Sequence, residues 1–158
     1  MRELTHVDAD GAARMVDVSG KSETARLARA AGSIRMRRST FEAVRDNVVA
    51  KGDVLGVARI AGVMAAKRTA ELVPLCHPLP LDDVQVELVL DAALPGVQVE
   101  AVARTTGRTG VEMEAITAVS IALVTIYDMA KALDREMVIS DIRLLEKSGG
   151  RSGLWRRG

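Results

Sequence analysis

The 158-residue chain is short of the residues that most often narrow a sequence. Cysteine occurs once, at Cys76, which excludes an internal disulfide and fits a reducing compartment. Phe, Trp and Tyr occur once each, so there is no large aromatic core and no set of stacking platforms for RNA bases. The 22 Lys and Arg nearly balance the 21 Asp and Glu, leaving a net charge of +1. No overall field therefore draws the protein onto nucleic acid or an anionic membrane, and anion binding has to be local. The opening MRELTHVDADG lacks a basic start followed by an apolar run, so no signal peptide is read and a cytoplasmic location is expected. The nearest thing to a membrane span, Ala115 to Leu133, is interrupted by Asp128 and Lys131 and falls short of the roughly 20 apolar residues a span needs.

What is present has the length of one domain. Residues 1–12 are polar, rich in Gly and Asp and without periodicity, and are predicted as a mobile arm before a single domain at 13–158. Alternation in Met15–Val18 and again from Thr24 to Ile34 predicts an extended hairpin around Gly20. Ser39–Glu42 has the form of a capping box, opening a helix to about Ala50 with Gly52 as its left-handed stop. Asp53 is the expected cap of a second helix to about Ala70, packed through Leu55, Ala58, Val63 and Ala66. Val84–Leu90 and Val97–Ala103 alternate as a second hairpin across Leu94-Pro95-Gly96. Thr109–Glu112 repeats the capping-box form before a long apolar helix, and Met137–Leu145 reads as a last strand. The order is that of an α+β, ferredoxin-like split βαβ fold: an antiparallel sheet with helices on one face. A partner subunit is the simplest cover for its other face.

Candidate chemistry lies in five places. On the long helix, Asp128 and Lys131 share a stripe with Ile121 and Val124, which apolar spacing would send into the core. Ions placed there need a partner or a ligand, because removing each from water costs several kcal/mol (roughly). Lys51, at the glycine corner before Asp53, is either a functional cation or a charge serving a helix end. His77, in Leu75-Cys76-His77-Pro78, sits on a loop restrained by Pro74 and Pro78, suited to proton transfer or a polar contact. Cys76 has no second cysteine to support metal or redox chemistry. Glu112 and Glu114, flanking Met113, gain from the helix N-terminus whether or not they bind anything. The glycine-rich basic segment Lys147–Gly153 is either a disordered tail or a set of N–H groups and cations for phosphate oxygens. It is not a P-loop, since the GxxxxGK[ST] order is absent. His6, Asp8 and Asp10 alternate like metal ligands but lack a scaffold, so no metal is predicted. Arg35, Arg37 and Arg38 read as a solvated edge.

Taken together, MVDVSGK, KGDVLGVARIAGVMAAKRTAELVPLCHPL, TTGRTGVEMEAITAVSIALVTIYDMAKAL and LLEKSGGRSG resemble the molybdenum cofactor biosynthesis protein C family, the cyclic pyranopterin monophosphate synthases. The resemblance covers nearly all of the chain after the arm. Ala130 stands where the family pattern has a cysteine, and Asp82-Asp83 fall in a variable region; neither touches a residue given a role. The resemblance implies a lyase converting 3′,8-cyclo-7,8-dihydro-GTP to cyclic pyranopterin monophosphate with loss of pyrophosphate. It implies catalytic roles for Lys51, Lys131, Asp128 and His77. Substrate contacts are implied from Leu75, Cys76, His77, Glu112, Met113 and Glu114, and phosphate contacts from Lys21, Arg26, Lys67, Arg68 and Lys147. No cofactor is required, with Mg²⁺ a candidate companion of the triphosphate. The implied assembly is a homohexamer, a trimer of dimers with each pocket between subunits, without nucleic-acid or membrane partners. Lys51 and Lys131 mutants, each inactive alone, would then regain activity when mixed if those residues come from different chains. A non-catalytic ligand sensor is the rival class, separated by whether pyrophosphate appears. An RNA-binding domain is the other, disfavoured by the missing strand aromatics.

Overall fold

The computed structural model describes Val7 and residues 10–158. In chain order the elements are β1 (Thr24–Arg35), α1 (Arg38–Arg45), α2 (Val54–Lys67), α3 (Thr69–Leu72), β2 (Asp83–Asp91), β3 (Gly96–Gly107), α4 (Glu112–Ala130), β4 (Val138–Ser148) and β5 (Trp155–Arg156). They form one five-stranded sheet in the order β2-β3-β1-β4-β5, with every neighbour antiparallel. The α+β, ferredoxin-like arrangement expected from the element order is therefore present, extended by one short edge strand.

Period two explains the sheet. Ala28, Ala30 and Ile34 of β1 and Val97, Val99, Ala101 and Ala103 of β3 are all buried against the helices. Small side chains let α4 approach closely: a Cβ at Gly32 would come within 3.0 Å of Val119 on α4. A Cβ at Gly62 on α2 would meet the Ala118 carbonyl oxygen at 3.0 Å. Asp53 caps α2 as expected, its carboxylate accepting a bond from the Gly56 N–H at 2.9 Å, and Gly52 takes φ +93°. By length and composition α4 is apolar enough to cross a membrane, yet it packs on β1, β3, β4 and α2 as a core helix.

Several expectations are corrected. Met15–Val18 forms no strand; residues 14–18 run as irregular chain past the 75–77 loop to a turn at Ser19-Gly20. Neither capping box forms: α1 starts after Arg37 and α4 after Val111, each without a side-chain cap. At α1 the orphan N–H of Arg37 is taken instead by Asp134, which accepts it at 2.8 Å from 97 positions away. The helix starting near Ser39 stops at Arg45, with Asn47 at φ +55°, rather than running to Ala50. That expected to reach Ala70 breaks at Arg68 into α2 and α3, and α4 ends at Ala130, short of Leu133. The glycine-rich tail is an ordered turn through Gly149 and Gly150, after which β5 pairs back on β4.

The sheet face away from the helices carries Arg29, Gln85, Glu87, Glu100 and Arg104, with an Arg29–Glu100 ion pair at 3.3 Å and Arg104–Asp83 at 2.7 Å. An antiparallel sheet with such a face stands in water unaided, so this face does not by itself call for a covering subunit. Of the predicted arm, Val7 makes an isolated bridge to Ala13; His6 and Asp8 lie outside the described residues.

Candidate functional site

The expected site residues gather in two places, at opposite ends of α4. At its N-terminal end lies a cavity of about 380 Å³ between the first turn of α4, the 75–77 loop and the irregular chain before β1. Leu75, Cys76, His77, Glu112, Met113 and Lys21 all line it, with Val16 and Val18 along one wall. Three stretches far apart in sequence thus meet. Lys21 also lines an adjoining cleft of about 580 Å³ with Ser22, Thr24, Arg26, Gly150, Arg151 and Ser152.

The cleft is basic and built by glycine. Gly149 and Gly150 have φ +95° and +70°, and a side chain at either would collide, with the Ala25 carbonyl and with the Arg26 guanidinium respectively. Arg26 is fixed from the other side, its Nε donating to the Gly107 carbonyl at 2.9 Å. The Lys147 ammonium donates to Ser152 Oγ across the turn. Such an array of cations, hydroxyls and turn backbone suits phosphate oxygens. Lys67 and Arg68, at the C-terminal end of α2, are exposed and line neither opening.

Beneath the cavity, Glu114 is buried, 3% exposed, and so does not join the lining as expected. Burial pushes its carboxyl up, with Glu112 adding to the rise, against the opposing bonds from its own backbone N–H and Cys76. One oxygen, Oε1, lies 3.7 Å from Cys76 Sγ, while Oε2 has no hydrogen-bond partner among the described residues. Burial and the neighbouring Glu114 raise the Cys76 thiol to about 11, so at neutral pH it is an un-ionised, poor nucleophile. The His77 ring is held by a 2.7 Å contact between Nε2 and the Val16 carbonyl.

At the C-terminal end of α4, Asp128 bridges two lysines: Oδ1 accepts from Lys131 Nζ at 2.7 Å and Oδ2 from Lys51 Nζ at 2.8 Å. Lys51 also donates to the Asp128 carbonyl at 3.0 Å. These hydrogen bonds, Lys131's first and then Lys51's, bring the Asp128 carboxyl down to about 2, leaving it ionised across the physiological range. It orients two ammonium groups and has no proton to give.

The cluster is not in the core, as its stripe suggested. The Asp128 and Lys131 side chains are 54% and 52% exposed, and Val124 on the same side is 51% exposed. Because α4 is apolar on two faces, spacing does not decide between them; the alanine-rich one, with Ala115, Ala118 and Ala122, goes inward because it allows the closer approach. The desolvation argument for a buried ion pair therefore fails within one chain. Nor do Lys51 and Lys131 come from different chains, since they share one carboxylate of their own chain.

Glu112 and Asp128 are roughly 24 Å apart along the axis of α4. Sequence reasoning missed Asp134, 1% exposed, which accepts from the Arg37 and Glu136 backbone N–H groups and pairs with the Arg37 guanidinium at 3.2 Å. It ties the segment after Lys131 to the start of α1. No local pattern marks it, because its partner Arg37 is remote in sequence.

The MoaC family profile matches residues 15–150. The chain is 62% identical over 156 residues to a protein of Novosphingobium aromaticivorans named cyclic pyranopterin monophosphate synthase, covering 99% of this chain and 98% of that one. Proteins of the same name from a Methylobacterium species and from Heliobacterium modesticaldum are 63% and 59% identical, over 97% and 99% of this chain and 96% and 99% of their own.

Proposed function

Because this chain belongs to the MoaC family, we propose that it is a cyclic pyranopterin monophosphate synthase of molybdenum cofactor biosynthesis. In this reading it acts in the cytoplasm as a lyase, on 3′,8-cyclo-7,8-dihydro-GTP, and releases pyrophosphate. The supporting observation is the junction of the cavity holding His77, Glu112 and Met113 with the basic cleft, through their shared Lys21. A nucleotide with its guanine-derived ring against Glu112 and Met113 places its phosphates among Lys21, Arg26, Lys147 and Arg151. The ring's N–H groups are donors, which a carboxylate accepts, and the cations stabilise the charge of departing pyrophosphate. Mg²⁺ is a candidate companion of the triphosphate oxygens.

Ring opening and pterin closure need proton transfers, and Lys51 and Lys131 are the groups assigned to them, held in place by Asp128. They sit at the far end of α4, out of reach of a nucleotide in the cavity of the same chain. The proposal therefore requires a second subunit to bring its own lysine cluster to this cavity, in a hexamer built as a trimer of dimers. Val57, Ile60 and Met64 on α2 are 45%, 63% and 49% exposed and form an apolar stripe of the sort that subunits cover. The test is to supply the purified protein with 3′,8-cyclo-7,8-dihydro-GTP and measure pyrophosphate and pterin together. Both are expected from the wild type and neither from Lys51→Ala. Tight binding without turnover would instead mark a ligand sensor.

A further inference from the structure

One wall of the cavity is made by chain without regular structure, residues 14–18, and that segment reaches the site through a backbone atom. The Val16 carbonyl oxygen lies 2.7 Å from His77 Nε2. A carbonyl has no proton to give, so the ring donates and Nε2 carries the hydrogen. The other nitrogen, Nδ1, receives no hydrogen bond among the described residues and is not a buried unsatisfied atom, on a ring that lines the cavity. Pro74 and Pro78 restrain the loop that carries the ring.

We infer that Val16 is a positioning residue: its carbonyl fixes His77 as the Nε2–H tautomer, leaving Nδ1 to accept a hydrogen bond from an N–H or O–H of the bound substrate. The segment lies outside the sheet, and its Val16 carbonyl holds a side chain from 61 positions away. The tautomer assignment stands on geometry alone; the substrate contact rests on the synthase reading above.

Two measurements in the full chain test it. The chain has two histidines, so ¹⁵N-histidine labelling with a His6→Gln variant assigns the His77 ring directly. A protonated Nε2 and an unprotonated Nδ1 at pH 7.5 are expected; a predominant Nδ1–H tautomer, a doubly protonated ring or an even mixture overturns the inference without touching the enzymatic reading. The second compares His77→Asn, whose amide sits near the Nδ1 position, with His77→Gln, whose amide sits near Nε2, both checked for folding by circular dichroism. His77→Asn should hold KM within about threefold of wild type, while His77→Gln raises it about tenfold, the loss of one hydrogen bond. Equal KM values or the reverse order overturn the assignment of Nδ1. Absence of product from the wild type would count against the synthase reading alone, since the labelling result does not depend on it.

Discussion

Replacing Gly149 by alanine isolates what the glycine turn contributes, because the structure supplies two internal controls. At Gly20 the backbone is not left-handed and nothing among the described residues lies within 4 Å of an added Cβ. Gly20→Ala should leave the thermal midpoint unchanged or slightly raised, since alanine lowers the entropy of the unfolded chain by about 0.4–1 kcal/mol. At Gly153 φ is +59° with no described residue within 4 Å of an added Cβ, so only the left-handed cost of roughly 1–2 kcal/mol applies, partly offset by the same entropy term. Gly149 combines φ +95° with a collision against the Ala25 carbonyl. That carbonyl belongs to β1, where Ala25 is paired with Thr106 of β3, and cannot retreat without disturbing the ladder. Overpacking adds about 1–3 kcal/mol to the backbone strain, for a total of roughly 2–5 kcal/mol. At about 2–4 °C per kcal/mol for a chain of this length, differential scanning calorimetry should show midpoint losses of ~5–20 °C for Gly149→Ala and ~1–4 °C for Gly153→Ala. Equal losses in the two variants would refute the close approach of the turn to β1, and with it the cradle for Arg26 in the basic cleft.

Two further outcomes follow from the ion clusters. Asp128→Asn leaves an amide with one accepting oxygen for two ammonium groups, and kcat for pyrophosphate release should fall about 10²–10⁴-fold with the fold intact by circular dichroism. Since the Asp128 carboxyl lies at about 2, its titration cannot shape the wild-type rate profile between pH 5 and 9, and an acid limb in that range that vanishes in the variant would contradict its role. Asp134→Ala strands the Arg37 N–H and should cost ~1–3 kcal/mol, read from urea midpoints. Burial raises the Asp134 carboxyl, but the Arg37 and Glu136 backbone bonds and the Arg37 charge outweigh it, and the net shift is downward. A lowered folded-state pKa stabilises above the unfolded value, near pH 4 (roughly), and that contribution disappears as pH falls through the folded value. The stability gap between wild type and Asp134→Ala should therefore narrow below about pH 4; a gap that widens there would be the wrong sign.

The alternation of Val84–Leu90 and Val97–Ala103, the Asp53 cap and the left-handed Gly52 were readable because each depends on residues next to one another. Met15–Val18 alternates just as well, but it runs past the 75–77 loop, a long-range placement that no local pattern reveals. The capping boxes at Ser39 and Thr109 fail for a similar reason: a donor satisfied from afar, as Arg37 is by Asp134, leaves no task for the local hydroxyl. β5, two residues long, has too little pattern to see. Among the candidate site residues, the 75–77 loop and the 112–113 turn, expected to hold the base and ring, line one cavity, and Lys21, expected at the triphosphate, lines both it and the adjoining cleft. The inward reading of Asp128 and Lys131 failed because α4 offers two apolar stripes, and packing against β1 and α2 chooses between them. Nor did the motifs reveal that Lys51, Asp128 and Lys131 form one cluster at the opposite end of α4 from the cavity.

On the proposed reading, that separation means a second chain has to complete each site. Mixing Lys51→Ala with Glu112→Ala protein, after dissociation and reassembly, is the most direct test. Each is expected to be inactive alone. In a one-to-one mixture, pockets that take the cavity from one chain and the lysine cluster from another should restore roughly a quarter of wild-type activity. Lys51→Ala mixed with Lys131→Ala should restore none, because those residues belong to the same cluster of the same chain. Recovery in that second mixture, or none in the first when hybrid assemblies are shown to form, would contradict a site divided in this way.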